Sequence, residues 1–212
     1  MKYFFQVSMA IIVALLISSC GTSTTKQQNL TSQVQNGDII FQTSLSRQSK
    51  TIQKATASRY SHMGIIYKDN GQFYVYEAVQ PVKLTPLQQW IERGEKHHFV
   101  VKRLKSANRL LTPGALAKMR KIGEQFMGKD YDSYFAWSNK HIYCSELVWK
   151  IYKEALDVEI GQLQTLADFD LSGNLTSKIM QERYGDNPPV NELVISPAAM
   201  FTSRKLETVV TH

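Results

Sequence analysis

The chain reads as an α+β fold in which an antiparallel sheet packs against a helix carrying a cysteine, and three features predict this. Two strand-like runs, His62 to Tyr67 and Gln72 to Glu77, flank Asp69-Asn70-Gly71. Asn-Gly between two such runs is the strongest short-range signal for an antiparallel hairpin. Short runs rich in β-branched or aromatic residues precede and follow it, at Asp38 to Gln42 after Asn36-Gly37 and at Phe99 to Leu104, and these read as further strands. Finally, a helix is predicted to begin near Tyr143 or Cys144, because Leu147, Val148, Ile151, Tyr152 and Ala155 recur at the spacing of one buried helical face.

The remaining elements follow in chain order. With 212 residues, 43% of them hydrophobic and 20% charged, a mainly disordered or collagen-like chain is ruled out and one compact domain is the default. Residues 1–19 are set aside. Lys2 gives a positive start, Met9 to Ile17 is an unbroken apolar run, and Ile17-Ser18-Ser19-Cys20 closes it with small residues, which is the pattern of an export signal. Such a run rises only about 14 Å as a helix, well short of a ~30 Å hydrocarbon core. Its end resembles the lipobox of bacterial lipoproteins, which implies lipidation of Cys20 and a membrane anchor. Gly21 at the next position, by the same resemblance, favours the outer membrane, facing the periplasm. Cleavage by ordinary signal peptidase, leaving Cys20 a free thiol or half of a disulfide, is the alternative. Residues 20–35 are rich in Ser, Thr, Gln and Asn and read as a flexible tether, leaving 36–212 as the domain.

Within the domain, Ser46 to Ala57 is expected to be a polar-faced helix. Thr85-Pro86 supplies an N-cap and a proline at the first position of a short helix, Leu87 to Arg93, with Gly94 past its end. Thr112-Pro113 repeats the signal for a helix carrying Leu116, Met119, Ile122, Gly123 and Phe126 up to Gly128. An aromatic loop, Tyr131 to Trp137, leads to the cysteine helix. Beyond residue 157 the chain reads as loop and short helix, including Asn174 to Tyr184, a Pro188-Pro189 break and a turn near Ser196-Pro197.

Charge and cysteine content narrow the function. The net charge of +7 is unevenly spread, with a basic stretch, 93–121, and an acidic one, 154–192. Each is an ordinary solvated face or, more sharply, a surface for an anionic substrate or lipid headgroups. No nucleic-acid-binding module is evident, and an exported chain is not expected to meet nucleic acid. With Cys20 assigned to lipid, Cys144 is the only remaining thiol, in an oxidising compartment where unpaired cysteines are usually avoided.

Thiol catalysis needs a nucleophile, a base, a group orienting the base, and donors for the oxyanion. Cys144 at a helix start would have its thiolate favoured by unpaired N–H groups and the helix dipole. His62 stands out among five histidines because it opens an apolar strand, and Glu77 lies across the predicted hairpin from it, where a carboxylate could hold the imidazole tautomer. Taken singly, His62 and Glu77 are ordinary polar strand-edge residues; their combination with a lone cysteine at a helix start points to chemistry. Glu146, two positions along the helix, points to another side, and Asp38 is expected to order the turn after Gly37. No metal or other cofactor is predicted: Asp168-x-Asp170-x-Ser172-Gly173 begins like a calcium loop, but its twelfth position is Ile179, and His97 and His98 would diverge on a strand.

Gly37-Asp38-Ile39-Ile40-Phe41, Ser61-His62-Met63-Gly64-Ile65, Tyr76-Glu77-Ala78-Val79 and Tyr143-Cys144-Ser145-Glu146-Leu147-Val148 occur in an order that resembles the YiiX-type permuted papain-like amidases, relatives of the NlpC cell-wall peptidases. The likeness extends through Thr85-Pro86-Leu87 with Trp90, Gly128-Lys129-Asp130-Tyr131-Asp132 and Phe169-Asp170-Leu171-Ser172. Histidine before cysteine is the permuted order. The resemblance implies a circularly permuted papain-like fold, Cys144 as nucleophile, His62 as base and Glu77 as third member. It also implies Tyr131 at the oxyanion site; an aromatic residue packed under the cysteine helix is the alternative for Tyr131. The expected activity is thiol-dependent hydrolysis of an amide in the cell envelope, in cell-wall stem peptides. A hydrolase or acyltransferase of N-acyl or ester lipids, or a non-catalytic envelope binding module, is the alternative.

Overall fold

The computed structural model describes residues 30–212. The expected signal peptide, Cys20 and residues 20–29 of the expected tether therefore lie outside the described residues. Residues 30–33 are helical (α1), and a compact unit spans Val34–His212.

Its frame is a six-stranded antiparallel sheet in the order β4-β3-β2-β1-β5-β8. The strands are β1 (Ile39–Ser44), β2 (His62–Asp69), β3 (Gln72–Glu77), β4 (Lys83–Pro86), β5 (Gly94–Leu104) and β8 (Leu206–Thr211). The β2–β3 hairpin turns on Asn70 and Gly71, both at positive φ, as the Asn-Gly pair predicts for a turn matching the strand twist. Helix α2 (Arg47–Thr56) lies between β1 and β2, the short α3 (Leu87–Glu92) follows β4, and a single turn α4 (Ala107–Leu110) precedes α5 (Pro113–Glu124). Thr112 caps α5 by accepting the Ala115 N–H, with Pro113 in its first turn.

Helix α6 (Cys144–Leu156) is the pivot. Leu147, Val148, Ile151 and Tyr152 are completely buried against α5 and β2, and each such side chain contributes about 1.5–3 kcal/mol on leaving water. The Tyr152 hydroxyl donates to the Gly37 carbonyl and that of Tyr76 to Gly123, so helix, sheet and α5 are also joined by polar links. The C-terminal part supplies a two-stranded ribbon, β6 (Gln164–Thr165) with β7 (Leu193–Val194), then α7 (Asn174–Tyr184) and α8 (Pro197–Phe201).

Two local expectations are corrected. Thr85 does not cap the helix after it: it is a buried residue of β4, α3 begins without a side-chain cap, and its hydroxyl serves Glu77 instead. The stretch beyond 157 is not only loop and short helix, because β8 pairs with β5 from Val100 to Leu104. Asp38 orders its turn by accepting the Gln35 N–H, and its carboxylate also takes two hydrogen bonds from Arg103. Part of the basic stretch is thus spent inside the protein, on Asp38 by Arg103 and on Glu77 by Arg93.

Candidate active site

Cys144 is the first residue of α6, buried, with Tyr143 at the N-cap and no side-chain cap on the first turn. That leaves backbone N–H groups and the positive end of the helix dipole beside the sulfur. β2 packs against this helix and opens with His62. In the β2–β3 register, Ile65 faces Tyr76 and Asp69 faces Gln72; continued one step, it sets Gly64 opposite Glu77, with His62 one pleat further along the same face. Gly64 is needed there, since a Cβ at this position would lie 2.5 Å from Val75 Cγ1 and 2.6 Å from the Tyr76 carbonyl oxygen.

His62 Nε2 and Glu77 Oε2 are 2.6 Å apart, and the imidazole is also hydrogen-bonded to Cys144. Because Nε2 is taken by the carboxylate, Nδ1 is the nitrogen left for the thiol. Burial works against charging His62, but the hydrogen bonds and negative charges of Cys144 and Glu77 outweigh it, and its pKa is pushed up to about 9. Such an imidazole is a competent acceptor for a thiol proton. The His62 ring stacks on Trp90, centroids 5.9 Å apart.

Glu77 is fully buried and collects four donors. Besides His62 these are Thr85 Oγ1 at 2.6 Å, Trp90 Nε1 at 2.9 Å and Arg93 NH2 at 2.5 Å. Burial alone would raise its pKa; His62, Thr85 and Arg93 reverse that and bring it down to about 2. Sequence reasoning did not give Thr85, Trp90 and Arg93 this role. The Thr85-Pro86-Leu87…Trp90 segment was the available signal, but its function depends on β4 pairing with β3, which sets Lys83 opposite Glu77.

Tyr131 lies beside Cys144, and first burial, then the cysteine's charge, keep its phenol well above the ordinary range. Glu146 is not part of the group: its carboxylate meets Lys150 Nζ at 2.7 Å. The Asp168 carboxylate is used by Thr165, and that of Asp170 by Ser172.

Two hollows meet at this site. One, a narrow hollow, has almost entirely apolar walls, among them Ile52, Phe135, Phe169, Ile179 and Ile195, and it reaches Cys144. The other is a wider, more open cleft that reaches His62, with mixed walls in which Gln42, Ser44, Ser61, Gln80 and Arg93 stand beside Leu45, Ile52, Ala78 and Val79. Tyr131 stands on the wall they share.

A family model described as "Permuted papain-like amidase enzyme, YaeF/YiiX, C92 family" matches residues 33–210. The chain belongs to this family. Among C92 relatives, it is 47% identical over 177 residues to Uncharacterized protein YiiX of Escherichia coli (strain K12), covering 84% of this chain and 86% of that one. A crystal structure of YiiX from Escherichia coli O157:H7, described as a metalloprotein, superposes with a TM-score of 0.81 at 47% identity, covering 85% of this chain and 98% of that one. The word metalloprotein belongs to that protein. Among the described residues of this C92 chain no three His, Cys, Asp or Glu side chains converge as a metal site, and both Glu77 oxygens are occupied by donors. The described residues around Cys144 and His62 therefore do not fit a metal centre.

Proposed function

We propose that the protein is a thiol-dependent hydrolase of the cell envelope that splits an apolar acyl group from a polar amine or alcohol. The observation that carries this reading is His62 held between Glu77 and Cys144, with the cysteine opening on the apolar hollow and the histidine on a wider cleft of mixed walls. Cys144, having passed its proton to His62, adds to the carbonyl carbon. His62 then delivers that proton to the leaving amine as the C–N bond breaks, and Glu77 keeps the imidazole in place. Water, deprotonated by His62, cleaves the thioester to give the acid and restore the thiol. The acyl group stays on sulfur and the leaving group takes its proton from His62, so the apolar hollow beside the sulfur suits an apolar acyl group and the wider cleft beside His62 takes the leaving group. Attachment through a lipidated Cys20 would hold this chemistry at the outer membrane.

A peptide bond of cell-wall stem peptides is the second reading, favoured by the size and the serine and glutamine walls of the His62 cleft. Incubating the purified protein and a Cys144→Ala control with lipid extracts and with cell-wall digests, and reading products by mass, separates the two. Release of fatty acid from the lipid pool by the native protein alone supports the first; cleavage confined to stem peptides replaces it with the second. If iodoacetamide reaches Cys144 only after unfolding, neither stands and the fold serves as a binding module.

A further inference from the structure

Tyr131 is fixed at both ends. Its backbone N–H donates to Gln80 Oε1 at 2.7 Å, and its hydroxyl oxygen accepts from Gln48 Nε2 at 3.3 Å. Gln48 Oε1 in turn accepts from Arg183 NH2 at 2.9 Å. Arg183 is seated over the Phe135 ring, 5.4 Å from its centroid, and its helix α7 is tied to α2 by a second pair, Arg47 with Glu182 at 3.3 Å.

A guanidinium carries only donors, whereas a glutamine amide carries a donor end and an acceptor end. Arg183 therefore dictates the direction of the Gln48 amide, oxygen toward the guanidinium and nitrogen toward the phenol. A phenol oxygen that is already accepting keeps its own hydrogen for another partner, and among the described residues that hydrogen has no acceptor. Tyr131 lines both the sulfur's hollow and the imidazole's cleft.

We propose that Arg183 and Gln48 are positioning residues that hold the Tyr131 hydroxyl as a ready donor to the oxyanion formed when Cys144 attacks a carbonyl. This rests on the hydrolase reading above. A reversed amide would turn Oε1 to the phenol, capture its hydrogen and take the donor away from the oxyanion. Because the phenol's pKa is held well above the ordinary range, the hydrogen is present throughout the working pH range.

The test compares two reactions of the full-length protein. Hydrolysis of 4-nitrophenyl octanoate passes through an oxyanion; alkylation of Cys144 by iodoacetamide is displacement at a saturated carbon and forms none. Removing one oxyanion donor typically costs a factor of about 10²–10³ in kcat. Loss of its positioning, in Arg183→Met or Gln48→Met, is expected to lower kcat by about tenfold or more, with KM changing less and the alkylation rate within about twofold of native. Arg183→Lys, which still donates to Gln48 Oε1, should recover most of the loss, and in a Tyr131→Phe background neither Met variant should cost anything further. Equal losses in both reactions, losses that multiply with Tyr131→Phe, or no loss at all would each overturn the relay. A native protein that is alkylated at Cys144 yet hydrolyses no ester overturns the reading as a hydrolase of apolar acyl groups and the relay with it.

Discussion

Glu77 at the end of the hairpin and Glu146 in the first turn of the cysteine helix are both completely buried, yet their carboxyls are driven in opposite directions. Glu77 is brought down to about 2 and Glu146 is pushed up to about 7. For both, burial is the largest influence and raises the pKa. What differs is the donor set. Four donors, Thr85, Trp90, Arg93 and the His62 ring, meet Glu77. At Glu146, Lys150 stands 2.7 Å away, but it divides its three N–H groups, giving two of them to Ser138 O and Asn139 Oδ1. Its pull and that of the Tyr143 N–H fall short of the burial cost, to which the charge of Asp132 adds. Depth alone therefore does not decide whether a buried carboxylate is charged; the number and aim of the donors do, and only the well-supplied one stands against the histidine.

Breaking the better-supplied side should cost most. Glu77→Gln is expected to lower hydrolysis by a factor of about 10³–10⁴, as loss of the carboxylate behind a catalytic histidine does elsewhere; steady-state rates on folded variant check it. Removing single donors comes next. Thr85→Val or Trp90→Phe should each destabilise the protein by about 1–3 kcal/mol in urea unfolding, because a buried charge loses a partner, whereas the same assay on Gln88→Ala, an exposed residue of α3 paired only with Glu92, should show little change.

The opposed pKa shifts also predict a pH profile. Glu146, raised from its ordinary 4.5, contributes stability fully below pH 4.5 and loses it as pH rises toward about 7. His62, raised from 6.5, contributes fully below 6.5 and loses it as pH rises through about 9. Glu77, lowered, contributes above 4.5 and loses it only as pH falls toward about 2. Urea midpoints should therefore be highest near pH 4.5–5 and fall toward alkaline pH in two overlapping steps. In Glu146→Gln the first step should vanish and the second remain. The smallest expected effect belongs to that variant's activity, which should stay within about threefold of native, since Glu146 faces Lys150 rather than the site.

Much of this site was legible in the sequence because its three main residues are placed by local rules. Asn70-Gly71 set the hairpin register that brings His62 and Glu77 to one face, and the helical spacing from Leu147 onward located the start of α6 at Cys144. Thr85 was misread for a physical reason: Thr before Pro is a good helix N-cap, and only the pairing of β4 with β3 turns its hydroxyl inward to Glu77. β8 was missed because its partner strand, β5, is remote in the chain and no local pattern announces the pairing. The apolar hollow was equally hidden, since its walls come from α2, the aromatic loop, α7 and residues 194–197, none of which is adjacent in sequence.

The two residues flanking Cys144 both hold the same distant backbone. Tyr143 accepts the Ile195 N–H at 3.1 Å, and Ser145 donates to the Ile195 carbonyl at 2.7 Å. A chain made from its N-terminus carries His62, Glu77 and Cys144 well before it carries Ile195, so the wall beside the sulfur is the last part of the site to be synthesised. Removal of the segment after α7 would leave all three side chains in the polypeptide but take away the strip against which the Cys144 helix is registered.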